Sequence, residues 1–170
     1  MIFCEDGNMN PQATATAGGE RAKARSAHGE AWGALTRTHA AIVGRLQEAL
    51  AASDFPPLPW YEVLATVAEA PEQRMKMGDL AEALVITRGG LTKLVDRLVK
   101  AGFLERTFCE TDRRVSYATL CPAGHDLLEE MRPVVVAELK VAFASRLSAA
   151  EADALRETLE RVRVSACGGE

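Results

Sequence analysis

The sequence predicts a mainly α-helical fold with one small β-hairpin. Apolar residues recur at helical spacing over most of residues 30–165. Two short, weakly alternating segments, residues 103–109 and 115–120, flank a polar turn, which is typical of a hairpin. Apolar residues make up 48% of the 170-residue chain, so we expect one domain with its own core, extended by helices.

The first predicted helix covers residues 30–52, with Trp32, His39 and Leu46 on one stripe. The segment FPPLP, residues 55–59, ends this helix and begins a shorter one, because proline is suited to a first helical position. APEQR, residues 70–74, is predicted to be a loop, and a third short helix follows over residues 76–84.

The fourth predicted helix has recognisable signals at both ends. Thr87 is expected to cap its start through the side-chain hydroxyl. Gly102 is expected to follow its end, because glycine adopts positive φ without strain. After the hairpin, Pro122 begins a long helix with Leu139 and Phe143 predicted inward, and Pro133 lies inside it as a predicted kink.

A last helix is predicted to begin at Ser148. Glu151 follows three residues later, and a serine and a glutamate at this spacing form a capping box. The order of elements from residue 76 to 120, a short helix, a turn, a helix and a hairpin, is typical of a winged helix-turn-helix. In that arrangement the second helix enters the major groove of DNA.

The charges support this interpretation. Residues 87–117 contain seven basic and four acidic side chains, a net charge of +3 in a chain whose net charge is −4. One side of the fourth helix is predicted to face away from the core, and it contains Arg88, Gly89, Thr92, Lys93, Asp96, Arg97 and Lys100. The residues of this region predicted to contact DNA are Thr87, Arg88, Gly89, Thr92, Lys93 and Arg97. Of these residues, Arg88, Thr92 and Lys93 are expected to contact bases, while Arg97 holds the backbone.

The hairpin turn contains Asp112, Arg113 and Arg114. An arginine at a hairpin tip fits a narrow minor groove, where the negative potential is enhanced. Asp112 is expected to hold one arginine and the turn backbone, leaving the other arginine for DNA, and the residues alone do not decide which. Two plainer interpretations stay open: the basic side of the helix is an ordinary solvated surface, and the turn is simply polar.

Three segments together resemble the MarR family of bacterial transcription regulators: WYEVLATVAEAP, MGDLAEALVITRGGLTKLVDRLVKAGFLER and ETDRRVSYATLCPAGHDLLEE. The resemblance covers about residues 30–165. It implies a homodimer with interlocked terminal helices, which binds pseudo-palindromic operator DNA, most often as a repressor released by a small phenolic or aromatic carboxylate ligand. It points to Arg114, beside Arg113, as the minor-groove residue. The family usually has threonine where this chain has Cys121.

Five parts of the chain are predicted. Residues 1–26 are polar, rich in Gly, Ala and Thr and without periodicity, which predicts a disordered tail. By the resemblance, residues 27–54 form an N-terminal dimerisation helix and 55–121 the DNA-binding region. Residues 122–166 form the C-terminal dimerisation helices, and 167–170 are a frayed end. In the family the ligand lies between the dimer helices and the DNA-binding region.

Several residues are candidates for that ligand site. Trp32, His39, Trp60 and Tyr61 are each placed either in a core or interface, or in the ligand pocket. Glu62 falls off the apolar stripe and is either a solvated residue or, as in some urate-responsive relatives, part of the ligand response. A redox sensor acting through Cys109 or Cys121 is an alternative function. The competing interpretation is that these thiols are buried and inert.

Other function classes lack support in the sequence. Cys121 and His125 are two possible ligands on one helix face, which do not make a metal site, and no cofactor is expected. The enzyme motifs GxSxG and HExxH and a glycine-rich phosphate loop are missing, so we do not expect an enzyme. No run of 18 apolar residues and no secretory signal is present, so we expect a cytoplasmic protein, associated with the nucleoid when bound to DNA.

Overall fold

A computed structural model describes residues 26–108, 112 and 115–167, without the side chains of Ser26 and Cys167. By contact pattern the chain divides into two compact units, residues 1–41 and 42–170. The described part contains six α-helices: α1 (Ser26–Ala52), α2 (Leu58–Glu69), α3 (Met77–Ala83), α4 (Arg88–Lys100), α5 (Pro122–Ala142) and α6 (Ala149–Cys167). Short 3-10 turns, Pro71–Gln73 and Ala144–Arg146, follow α2 and α5. The predicted mainly α-helical winged fold is confirmed.

The sheet has three antiparallel strands: β1 (Arg74–Lys76), β2 (Leu104–Phe108) and β3 (Ser116–Leu120), in the order β1-β3-β2. The predicted hairpin is β2 and β3, in which Arg106 pairs with Ala118 and Phe108 with Ser116. Strand β1 lies where the sequence predicted only a loop and a helix start. Three residues are too few to show an alternating pattern, so this strand depends on its pairing with β3.

Two clusters of buried side chains hold residues 42–170 together. The larger joins α2, α3, α4 and the sheet, with Leu64, Leu80, Val95 and Leu104 nearly inaccessible to solvent. The smaller joins the second half of α1 to α5 through Leu50 and other apolar residues. The larger cluster therefore fixes α4 and the sheet, which present the predicted DNA contacts, in one rigid arrangement.

The predicted helix ends are confirmed. The amide of Gly90 donates to Oγ1 of Thr87 at 3.1 Å, and Gly102 has φ of +81° after the end of α4. In the capping box of α6, the amide of Ser148 donates to Oε2 of Glu151 at 2.8 Å, and the amide of Glu151 donates to Oγ of Ser148 at 3.3 Å. These hydrogen bonds satisfy backbone donors that a helix start leaves unpaired.

The predicted inward positions of Leu139 and Phe143 are wrong for the single chain, because these side chains are 37% and 39% exposed. Periodicity identifies an apolar stripe but does not show what covers it. In the first unit, Trp32 is likewise 66% exposed. No helix in the described part of the chain has the length and apolar character needed to cross a membrane.

Candidate nucleic-acid interface

Helix α4 turns its basic side to solvent. Leu91, Val95 and Leu98 are buried in the larger cluster and set the rotation of the helix. The opposite side is exposed and contains Thr87, Arg88, Gly89, Lys93, Asp96, Arg97 and Lys100. The helix therefore presents four cations along one accessible side, where they can neutralise the phosphates of DNA.

The first turn of α4 leaves room for a close approach. A Cβ added to Gly89 would meet no atom within 4 Å, so this position is open. A Cβ added to Gly90 would lie 3.1 Å from Oγ1 of Thr87, the atom that caps the helix. Gly90 thus gives space to the cap, while Gly89 leaves an uncovered patch of backbone at the end of the helix that would face DNA.

Thr92 is half-buried, one turn into the helix. Its hydroxyl donates to the carbonyl of Arg88 at 2.9 Å, which uses the single donor of that group. The hydroxyl oxygen keeps acceptor capacity. In this geometry Thr92 is therefore suited to accept a hydrogen bond from a base or water, whereas Arg88 and Lys93 extend from exposed positions.

A groove of about 320 Å³ lies between α4, the start of α3 and the beginning of β3. Its lining residues are Lys76, Met77, Gly78, Asp79, Arg88, Thr92, Val115 and Ser116. It thus brings predicted residues Arg88 and Thr92 next to Lys76 and Ser116, which the sequence did not single out. The sequence lacked a signal for Lys76 because strand β1 was not predicted, and for Ser116 because the pattern of the hairpin does not show which strand residue faces α4.

The hairpin of β2 and β3 is the wing, and the predicted residues of its turn are described only in part. Asp112 is exposed, and its carbonyl accepts a hydrogen bond from the amide of Val115 at 2.9 Å, which closes the turn. Arg113, Arg114 and Cys109 lie outside the described residues. Their predicted roles stay predictions.

The wing strands contact α4 through Arg106 of β2, a residue counted in the sequence only as one charge. Its Nη1 lies 3.5 Å from Oδ1 of Asp96 on α4, and its Nη2 donates to Oγ of Ser116 on β3 at 3.2 Å. One guanidinium on β2 therefore bridges β3 and α4, which is called the recognition helix below.

The candidate ligand residues lie in both units. Trp32 and His39 are exposed on α1 in the first unit. In the second unit Trp60 packs edge-on against Phe103, with ring centroids 5.8 Å apart, and Tyr61 contacts both core clusters. Glu62 is exposed on α2. Trp60 and Tyr61 therefore serve the core, whatever further role they have.

Cys121 precedes α5 and is half-buried. Burial, and to a lesser extent the negative charge of Glu105, raise the pKa of its thiol above the usual value. A raised pKa keeps the thiol protonated near neutral pH, whereas redox-sensing cysteines are thiolates. Among residues 26–108, 112 and 115–167, no group of three or more His, Cys, Asp or Glu side chains could hold a metal ion.

Comparison with known proteins identifies this arrangement. A family model described as "MarR family" matches residues 53–115, from the end of α1 to the hairpin turn. The crystal structure of Sco3205, a MarR family regulator from Streptomyces coelicolor in complex with DNA, superposes with a TM-score of 0.77 at 28% identity, over 82% of this chain and 88% of that one. The DNA-binding part of this chain therefore matches the MarR family, and the chain as a whole is similar in fold to a MarR family regulator.

Two further similar proteins extend the comparison. The HTH-type transcriptional regulator MhqR of Bacillus subtilis is 32% identical over 87 residues, 51% of this chain and 59% of that protein. CouR from Rhodococcus jostii, bound to p-coumaroyl-CoA, has a TM-score of 0.67 at 23% identity, covering 75% of this chain and 87% of CouR, and this likeness shows the fold. The chain spans between 42% and 59% of the length of the curated relatives it matches.

Proposed function

We propose that this protein is a transcription regulator that binds operator DNA as a homodimer through α4 and the wing. The observation that carries the proposal is the exposed basic side of α4, formed by Arg88, Lys93, Arg97 and Lys100, on a winged helix-turn-helix of the MarR family. Arg88, Thr92 and Lys93 contact bases. Arg97 contacts the backbone, and Arg114, beside Arg113, enters the minor groove.

The test is fluorescence anisotropy with the DNA upstream of the protein's own gene, over a range of salt concentrations. Replacing a phosphate-contacting cation reduces the slope of log affinity against log salt by about 0.9. Arg97→Ala is therefore expected to weaken binding and flatten the slope. Arg156→Ala is the matched control, because Arg156 is an exposed arginine on α6, outside the DNA-binding region, and its loss should leave the slope unchanged.

The wing is tested in the same assay. Arg114→Ala is expected to lower affinity more at sites with a narrow, A·T-rich minor groove than at G·C-rich sites. Arg113→Ala should lower affinity less. Equal losses from both variants would exclude the assignment of the minor-groove role to Arg114. Failure of the wild-type protein to bind any DNA in a genome-wide pull-down would exclude the regulator function.

The homodimer is supported by apolar side chains on the terminal helices. Val136 and Val141 on α5 are 54% and 53% exposed, and Val162 and Val164 on α6 are 58% and 57% exposed. Exposed apolar side chains on these two helices favour an interaction surface there. Sedimentation is expected to give twice the 18.3 kDa chain mass, and Val136→Glu should shift the protein toward the monomer and lower its operator affinity.

Repression, with release by a small phenolic or aromatic carboxylate, is the finer part of the proposal and rests on the family. Trp32, His39, Trp60, Tyr61 and Glu62 are the candidate residues. The ligand must bind the DNA-incompetent conformation more tightly than the DNA-bound one. With salicylate as the probe, we expect tryptophan fluorescence to change together with loss of anisotropy. A ligand signal that leaves operator affinity unchanged would exclude the sensing role.

A further inference from the structure

Arg106 is the described side chain that joins the recognition helix to both strands of the wing. It projects from β2 on the same side of the sheet as buried Ala118, its partner in the register, and so points toward α4. Its two terminal nitrogens reach Asp96 on α4 at 3.5 Å and Ser116 on β3 at 3.2 Å. A guanidinium presents its donors in a fixed planar fork, so these two contacts fix its orientation.

We propose that Arg106 is a positioning residue, which holds β2 and β3 at a set angle to α4. The helix and the wing then meet the major groove and the adjacent DNA together. This inference rests on the proposed DNA-binding function. Arg106, Asp96 and Ser116 are called the wing clamp below.

The surroundings of Arg106 argue against a direct DNA contact. Its side chain is 30% exposed, and both terminal nitrogens are engaged in the wing clamp. The guanidinium carbon also lies 5.8 Å from the centre of the Phe108 ring. Arg97, by contrast, is exposed on the same helix as Asp96 and extends toward solvent. A phosphate would have to displace Asp96 or Ser116 to reach Arg106.

The same surroundings argue against a role in stability alone. Nε of Arg106 is buried without a hydrogen-bond partner among the described residues, which is unfavourable for the folded state. Its partner Asp96 is 57% exposed and the ion pair is long, at 3.5 Å, and such pairs contribute little to stability. Arg106 therefore adds little to the free energy of folding, and its two contacts are better explained by the orientation they give to the wing.

Asp96 gives the decisive test, because the two explanations predict opposite signs. An acid on the DNA-facing helix repels phosphate, so its removal should strengthen binding if Asp96 acts only as a charge. If Asp96 orients Arg106, its removal releases the wing and weakens binding. We expect Asp96→Ala to raise the Kd of the operator complex about two- to fivefold, the range for a partly exposed ion pair. Tighter or unchanged binding would overturn the proposal.

Three variants complete the design. Glu105→Ala is the matched control, because Glu105 is an exposed acid on β2 outside the wing clamp, and its removal should leave the Kd unchanged or lower it. Ser116→Ala changes no charge and should raise the Kd about twofold, since a guanidinium donates a weaker hydrogen bond to a neutral hydroxyl than to a carboxylate. Arg106→Lys keeps the charge but not the fork and should behave like Asp96→Ala, whereas a plain phosphate contact would survive in it.

Hydrogen exchange without DNA separates this proposal from the proposed function. In Asp96→Ala, amides of β2 and β3 should exchange faster, while those of α2 keep the wild-type rate, and Glu105→Ala should match wild type throughout. If the wild-type protein binds no DNA but the wing amides respond, the proposed function fails and the structural link of the wing clamp stands. Faster exchange with unchanged operator affinity would refute the positioning role, and unchanged exchange would refute the link itself.

Discussion

Replacing Gly124 by alanine is expected to destabilise the protein, although alanine is the better helix former. Gly124 is buried in the first turn of α5. A Cβ at this position would lie 2.1 Å from the backbone oxygen of Phe103 and 3.0 Å from Cδ1 of Leu120. Ordinary carbon–oxygen contacts are about 3.3 Å or longer, so the Phe103 carbonyl has to move by roughly 1 Å.

That carbonyl cannot move without a second loss. It accepts a hydrogen bond from the amide of Cys121 at 3.1 Å, which joins the start of β2 to the start of α5. Overpacking costs about 1–3 kcal/mol and the hydrogen bond contributes about 1 kcal/mol, while the gain in helix propensity is about 1 kcal/mol. Because the clash is with backbone, we expect a net loss of about 2–3 kcal/mol in the free energy of unfolding.

The assay is urea and thermal unfolding followed by circular dichroism, at equal protein concentration because dimerisation contributes to apparent stability. For a chain of this size the expected loss corresponds to a fall in Tm of roughly 5–10 °C. Gly89→Ala is the matched control: its Cβ meets no atom within 4 Å, so stability should stay equal or rise by up to about 1 kcal/mol. A Gly124→Ala protein as stable as wild type would refute the reasoning.

Three more predictions concern local geometry. Val85, between α3 and α4, is 83% exposed and has φ of +54°, which is a strained conformation for a β-branched residue. Val85→Gly should therefore raise the free energy of unfolding in urea by about 1 kcal/mol. A loss of stability would show that the Val85 side chain stabilises the turn. Cys121 occupies the N-cap position of α5 but its side chain makes no capping hydrogen bond. Cys121→Thr should therefore raise Tm by a few degrees, corresponding to about 1 kcal/mol. An unchanged Tm would show that the threonine hydroxyl does not reach the helix. Hydrogen bonds from the backbone amide and the hydroxyl of Ser148 lower the pKa of Glu151, so the cap of α6 contributes to stability above the unfolded pKa and is lost as pH falls through the folded one. Amide exchange at the start of α6 should therefore rise in acid, and Glu151→Gln, which cannot titrate, should abolish that pH dependence.

Features encoded within a few residues were predictable from the sequence. The cap at Thr87 depends on an amide three residues away, the positive φ of Gly102 on the residue type, and the Ser148–Glu151 box on a four-residue pattern. Each is decided by local sterics and hydrogen bonding. The basic side of α4 was predictable for the same reason, because helical periodicity fixes which residues share a side.

Features that depend on distant partners were not predictable. Strand β1 depends on its pairing with β3, more than 40 residues later, and nothing in Arg74–Lys76 specifies a strand. The tight fit of Gly124 depends on Phe103, across the whole hairpin. The exposure of Leu139 and Phe143 was misjudged because an apolar stripe has the same pattern whether it packs in its own chain or against another.

Counting charges in the sequence does not show which charges at the interface pair with each other. In the sequence, Asp96 subtracts from the basic character of α4, and Arg106 is one cation among seven in its region. In the structure these two charges face each other at 3.5 Å. An approaching polyanion therefore meets four exposed cations on α4 that no unpaired acid of that helix opposes: Arg88, Lys93, Arg97 and Lys100. The field at the recognition helix is then stronger than the net charge suggests, because it depends on where each charge is held.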